Sequence, residues 1–407
     1  MRILTTIILA LFFSSASMYA ANPLRTAKEN IRKGQKLDET ANNLIKEAAK
    51  AEMRLADKVE CWRLAAECSH KLYDAENTKL YLRQSYDTVH FYTHLLDMFQ
   101  RTLRADSLSQ QPDEKGRKRP IAAHKIHDYL SPYRTNLLNG GKWFYRHTNM
   151  KEAYRFLDAY VDVASTNAFA ADSLAVRDTL MPQAAYLAVA AARSADQPEG
   201  VVKHGRRARM AGLQSHLIQE YVCRAYVQLG DTAAALNALY EGLHEYPEHP
   251  IFFSSLIDHY SLGGDQEKGL ALADSMIKVD PKRPIYWYAR SLVLLREGRD
   301  REAIDASDKC LELDPQYVDA YYNKGIASLN LAMSFAENAC TDLTDPRCLR
   351  DREILRSLYQ LAKQPLEKVR ELAPEDSSRW AAPLYRIYLH LNMGKEFDEM
   401  DRILKKD

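Results

Sequence analysis

The sequence predicts an all-α fold of the α–α superhelix class, a stack of antiparallel helix pairs that is regular toward the C-terminus and irregular in the N-terminal half. Three observations carry this expectation. Pro247, Pro281 and Pro315 stand 34 residues apart, and Gly230, Gly264 and Gly298 keep the same interval, as do Leu236, Leu270 and Ile304. A period of that size belongs to a helix–turn–helix unit that buries its apolar face against its own neighbours. Glycine is scarce, with 15 among 407 residues, whereas about 7% is ordinary. That scarcity argues against short strands with tight turns and against glycine-rich phosphate loops. Finally, 46% of residues are hydrophobic and 27% charged, which excludes both a disordered chain and a multi-span membrane protein.

The first segment is read separately. Met1 and Arg2 give a positive start, Ile3 to Phe13 is apolar apart from Thr5 and Thr6, and Ser14 to Ala21 is mostly small. This order predicts a secretory signal peptide over 1–20, cut after Ala20 or Ala21. Its apolar core falls short of the ~20 residues that span a bilayer. The next longest apolar stretch, Ala184 to Ala192, is alanine-rich and reads as an ordinary helix. Because the first cysteine is Cys61, a lipid-modified N-terminal cysteine is not expected. The expectation is an exported, soluble protein without stable membrane insertion. Losing Arg2 would leave 55 basic and 55 acidic side chains, so no global attraction to nucleic acid or anionic lipid follows.

Residues 22–181 are expected to form irregular helical repeats. Helical apolar spacing runs through 38–51, 55–73 and 76–107, and Gln110 to Pro120 reads as an exposed loop. Residues 134–167 look like a diverged repeat with Gly141, Phe144 and Ala153 at its small and aromatic positions. From 182 to 407 the array becomes regular. Each lattice glycine can close a first helix in a left-handed conformation. Asp231 and Asp265 follow two of them as expected caps for the second helix. Ala235, Gly269 and Ala303 supply a small residue where helices approach closely, and the prolines stop the second helix. One repeat is interrupted: Pro315 to Pro374 is 59 residues, 25 more than the period. An insertion is expected at about 333–358, with the delayed second helix at Leu361 to Leu372 and a capping helix pair from Ser377 onward.

These residues resemble the tetratricopeptide repeat, whose pattern has an aromatic near position 4, small residues near 8 and 20, an aromatic near 11 and proline near 32. Phe253 and Tyr260, Trp287 and Ala303, and Tyr321 and Gly325 match it in successive repeats. The resemblance implies a concave face lined by first helices, which contacts ligands through positions 2, 5, 9, 12 and 13. It places there Tyr186 and Arg193, then Glu220, Arg224 and Gln228, then Ser254 and Asp258, then Tyr288 and Arg296, and Tyr322. The Lys and Asn that let some members clamp a C-terminal carboxylate are absent from the corresponding positions.

A search for catalytic chemistry finds little. His244 and His249 are five apart with Pro247 between them, unlike the four-residue spacing of a zinc protease helix. His124 and His127, followed by Asp128, could contribute to a metal site but cannot complete one. No nucleotide-binding loop or nucleophile elbow occurs, and the basic run Lys115 to Arg119 lacks aromatic residues for base stacking. No cofactor, metal or nucleic acid is expected, and the chain is read as a non-enzyme.

Of the six cysteines, Cys61 and Cys68 lie seven apart on one helix, about 10.5 Å along its axis, too far to pair. Cys223 and Cys310 read as packing residues. Cys340 and Cys348 flank a polar turn inside the insertion, where a disulfide could staple a long helix to its return partner; two thiols are the alternative. The expected role is that of an exported tetratricopeptide-type scaffold binding a protein or peptide in the periplasm of a Gram-negative bacterium. The alternative is an envelope protein that holds a glycan or small molecule in a helical cavity, suggested by Trp62, Trp143 and the tyrosines.

Overall fold

A computed structural model describes residues 23–341 and 344–405. The signal-peptide expectation therefore lies outside the described residues. Among them every named element is helical, and the only β feature is a bridge from Pro112 to Lys118. Among the described residues no helix is long and apolar enough to cross a membrane. The fold is all-α and tetratricopeptide-like, with helices packed in adjacent pairs.

Contacts divide the chain into two units, one ending at Ala238 and one beginning at Leu239. The N-terminal unit contains α1 (23–33), α2 (Leu37–Ala48), α3 (Leu55–Tyr81), α4 (Thr88–Ser109), α5 (Ala123–Leu130), α6 (Arg134–Arg146) and α7 (Met150–Val163). It continues through α8 (Leu174–Arg177), α9 (Met181–Ser194), α10 (Pro198–Arg209) and α11 (Ser215–Gln228), and the division falls within α12 (Thr232–Glu245). The C-terminal unit holds α13 (Pro250–Gly263), α14 (Gln266–Val279), α15 (Pro284–Arg296) and α16 (Asp300–Leu313). It ends with α17 (Val318–Asn338), α18 (Pro346–Leu372), α19 (Ser377–His390) and α20 (Gly394–Leu404).

The 34-residue lattice maps onto helix ends. Gly230, Gly264 and Gly298 all have φ between 72° and 79°, the left-handed conformation that stops α11, α13 and α15 without a Cβ clash. Each lattice proline follows a second helix by two residues: α12 stops at Glu245, α14 at Val279 and α16 at Leu313. Asp231 caps as expected, its carboxylate accepting the Ala234 N–H at 2.9 Å. Asp265 does not: Lys268, one turn into α14, holds that carboxylate at 2.7 Å. The small positions are tight. A Cβ on Gly269 would lie 3.3 Å from Val293, and Ala303 is fully buried.

Two helix expectations need correction. The expected break near residues 74–75 is absent, and α3 runs on to Tyr81. No glycine or proline interrupts it there, and the next helix instead starts at Asp87, whose carboxylate accepts the His90 N–H at 2.9 Å. The insertion at 333–358 does not delay the second helix to Leu361. It lengthens both partners, so α17 has 21 residues and α18 has 27, where their neighbours have 13 or 14. Asp345 starts α18 by accepting the Arg347 N–H at 2.8 Å, with Pro346 at the first position, where its missing N–H is harmless.

In the N-terminal unit the diverged repeat 134–167 forms α6 and α7. A Cβ on Gly141 would lie 2.6 Å from Leu157, while Phe144 and Ala153 are buried. The C-terminal unit has a core of Leu366, Val369, Trp380, Leu384 and Ile387 where α18 meets α19. Both units thus reach the same solution: apolar faces closed by the next pair along the chain.

Candidate binding face

First helices of successive pairs pack on one another as well as on their own partners. In the C-terminal unit α13 contacts α15, α15 contacts α17 and α17 contacts α19. Residues on the shared side of these four helices therefore converge, although they lie far apart in sequence.

Tyr288 lies on α15, the helix packed between α13 and α17. Burial is the main reason its hydroxyl is pushed up to about 12, and the carboxylates of Asp319 and Asp258 add to the rise. Arg379 and Arg296 pull the other way. One phenol thus senses charges from all four helices: Asp258 on α13, Arg296 on its own α15, Asp319 on α17 and Arg379 on α19. Its ring lies 5.2 Å from that of Tyr317, and the guanidinium of Arg379 sits 4.6 Å from the centre of the Tyr322 ring. Arg379 is held there by Asp319 at 2.7 Å.

The set is only partly self-satisfied. Arg379 and Asp319 neutralise each other, but Asp258 and Arg296 are exposed and make no ion pair among the described residues. They leave one anion and one cation beside a row of tyrosine rings, which supply apolar area together with polar edges. Chemically this suits a ligand carrying both signs of charge and an apolar or aromatic group. Nothing in the arrangement pairs a nucleophile with a base.

Of the sequence-derived candidates, Tyr288 and Tyr322 join this set through ring contacts, and Asp258 and Arg296 through their charges on Tyr288. Ser254 lies one turn before Asp258 on α13 and is half-buried. Asp319, Tyr317 and Arg379 were missed. Asp319 occupies position 2 of the repeat that starts at 318, so the lattice could have found it. Arg379 follows the insertion and lies out of register.

The remaining candidates belong to the N-terminal unit. There Arg193 on α9 lies 4.3 Å from the Tyr221 ring on α11, a cation–π contact between first helices. The Tyr186 hydroxyl donates to Gln214 at 3.4 Å, Arg224 pairs with Glu220 one turn earlier at 2.5 Å, and Gln228 is exposed.

His127 lies between Asp128 at 3.4 Å and Asp172 at 3.0 Å, while His124 is exposed. Residues 246–249, including Pro247, form the turn between α12 and α13. One cluster not anticipated from sequence gathers Asp158, Asp162 and His204 with ligand atoms within 4.8 Å of one another. The Lys203 ammonium already bridges both carboxylates, at 2.6 and 2.5 Å, and His204 bonds Asp158 at 2.7 Å. The cluster reads as an ion-pair network between α7 and α10. A cavity of about 570 Å³ between α3, α4 and α5 is lined by Arg63, Glu67, His70, Lys71, Lys125 and Tyr129, among others.

No family model matches the chain. A segment of 123 residues is 29% identical to the small glutamine-rich tetratricopeptide repeat-containing protein 2 of Mycosarcoma maydis, covering 30% of this chain and 34% of that one. This chain thus spans about a third of the length of that relative. Among solved structures, the C-terminal part of a TPR repeat-containing protein from Cytophaga hutchinsonii superposes with a TM-score of 0.41 at 12% identity, over 65% of this chain and 92% of that one. A tetratricopeptide repeat protein from Parabacteroides merdae gives 0.34 at 16% identity, over 67% and 98%.

Proposed function

We propose that the protein is a non-catalytic, tetratricopeptide-like adaptor. In this reading it holds a protein or peptide segment against the Asp258–Tyr288–Arg296–Tyr322 face and needs no cofactor. The observation that carries the reading is the packing of first helix on first helix from α13 to α19, with Arg379 on α19 held by Asp319 on α17 at 2.7 Å and lying 4.6 Å from the centre of the Tyr322 ring. Partly desolvated tyrosine and arginine are the side chains that most often dominate protein interfaces. An exported location in the envelope of a Gram-negative bacterium belongs to the same proposal, motivated by the sequence of residues 1–20.

The test is comparative affinity capture from an envelope extract with wild-type protein and the Tyr288→Ala/Arg296→Ala variant, circular dichroism confirming that both are helical. The proposal expects a reproducible protein partner that the variant loses by at least ~10-fold, equivalent to about 1.4 kcal/mol. Equal capture by both proteins would reject this face. Hydrolytic activity lost on His127→Ala would reject the non-catalytic reading.

A second reading, a small-molecule or glycan binder, is motivated by the cavity beside Tyr129 and His70 in the N-terminal unit. It predicts no reproducible protein partner, together with thermal stabilisation by an envelope glycan that Tyr129→Ala abolishes.

A further inference from the structure

Six thiols are distributed very unevenly. Cys61, Cys68 and Cys310 are fully buried in helix packing, and Cys223 is 5% exposed. Burial is the main cause that pushes Cys61 and Cys68 up to about 11 and Cys310 up to about 12. Such thiols are poor nucleophiles and out of reach of reagents. Cys340 and Cys348 lie beside the turn at the far end of the elongated α17–α18 pair, where Cys340 is half-buried and burial raises the Cys348 thiol too.

The Cys348 thiol is hydrogen-bonded to Cys340, and Cys340 in turn reaches the Asp345 carboxylate. The backbone holds this arrangement from both sides: the Cys340 N–H donates to Asp351 at 2.8 Å, and Asp345 caps α18 through the Arg347 N–H at 2.8 Å. Cys340 is half-buried and Cys348 is 5% exposed. An incoming reagent therefore meets Cys340 first, with Cys348 waiting behind it. Around the turn the apolar packing thins out. Met333, Leu349 and Ile354 are exposed, whereas the buried core of the pair lies further along, at Leu329, Ala332, Tyr359 and Ala362.

We propose that Cys340 and Cys348 are a dithiol–disulfide centre that fastens the end of the α17–α18 pair when the protein meets a small disulfide oxidant. The Cys340 thiolate attacks one sulfur of R–S–S–R, forming a mixed disulfide and expelling RS⁻. The Cys348 thiolate then attacks the Cys340 sulfur, closing the protein disulfide and expelling the second RS⁻. The two thiol protons end on the two departing groups, so the protein loses two hydrogen atoms and the oxidant becomes two thiols. In an oxidising compartment the bridge persists as a staple, and in a reducing one it opens. The inference is independent of the binding face, since neither cysteine belongs to it.

The test treats the native full-length protein with oxidised glutathione, followed by non-reducing peptide mapping and a thiol count after denaturation. Expected is a single intrachain link between Cys340 and Cys348 with the loss of two of the six thiols. Cys340→Ser and Cys348→Ser each abolish the link. Amide exchange over residues 346–358 should slow on oxidation of the wild type by at least about 3-fold, and not at all in either variant. A persisting glutathione adduct on Cys340, a link to any other cysteine, or six intact thiols after treatment would overturn the proposal.

Discussion

Asp178 shows how a single side chain can tie stability to pH. Burial alone would raise its carboxyl, but hydrogen bonds from Tyr160 at 2.6 Å and Arg134 at 2.7 Å outweigh that and hold it below the usual carboxylate range. Arg134 is itself buried over the Tyr160 ring at 3.9 Å and donates to the Tyr160 carbonyl at 3.2 Å. Removing the carboxylate would strand that guanidinium, so Asp178→Asn is expected to destabilise by about 3–5 kcal/mol at pH 7, read from urea unfolding. The sign follows from the depressed value. The folded chain binds fewer protons than the unfolded one, so the contribution is complete above the unfolded carboxylate value of ~4 and fades as pH falls through the folded one. The difference between wild type and Asp178→Asn should therefore shrink below pH ~4; a constant difference would show that the carboxylate charge is not what matters. This pair was invisible in the sequence, since its members lie 44 residues apart outside any repeat register. Tyr288 and Tyr322 were legible because they sit on the lattice. Arg379 was not, because the insertion shifts its helix out of register.

At the scale of helices, glycine acts in two separable ways. Gly298 has φ +72° with nothing near its missing Cβ, whereas a Cβ on Gly325 would lie 2.5 Å from Leu366 across the α17–α18 contact. Gly298→Ala should cost about 1 kcal/mol for its left-handed backbone, and Gly298→Asn should recover most of that, because asparagine tolerates this conformation. Gly325→Ala should cost about 1–3 kcal/mol through overpacking, and Gly325→Asn, being larger, should recover nothing. Urea midpoints of the four variants check this, and recovery at both positions would contradict it. Helix ends were legible wherever a glycine, proline or capping aspartate marked them, as at Gly264 and Pro281. They were illegible where none of these does. The extension of α3 to Tyr81 and of α17 to Asn338 follows no glycine, proline or cap signal, and both extended ends are largely exposed, with Tyr81 and Met333 among the exposed apolar side chains.

For the whole molecule, the repeat period determined which residues share a face but not what that face holds. Folding constrains the buried lattice tightly and exposed positions such as Asp258, Arg296 and Gln228 hardly at all, so partner chemistry leaves no periodic trace. Near-neutral composition likewise gives no long-range field to name a ligand. In the proposed function, binding occurs on the side of the first helices that carries Tyr288. It is tested most directly by placing the photocrosslinker p-benzoylphenylalanine at position 296, on that side, and in a second protein at position 275, exposed on the second helix α14. After irradiation in the envelope extract, a discrete partner adduct is expected from position 296 and none from position 275. Equal labelling from both positions, or labelling from 275 alone, would contradict it.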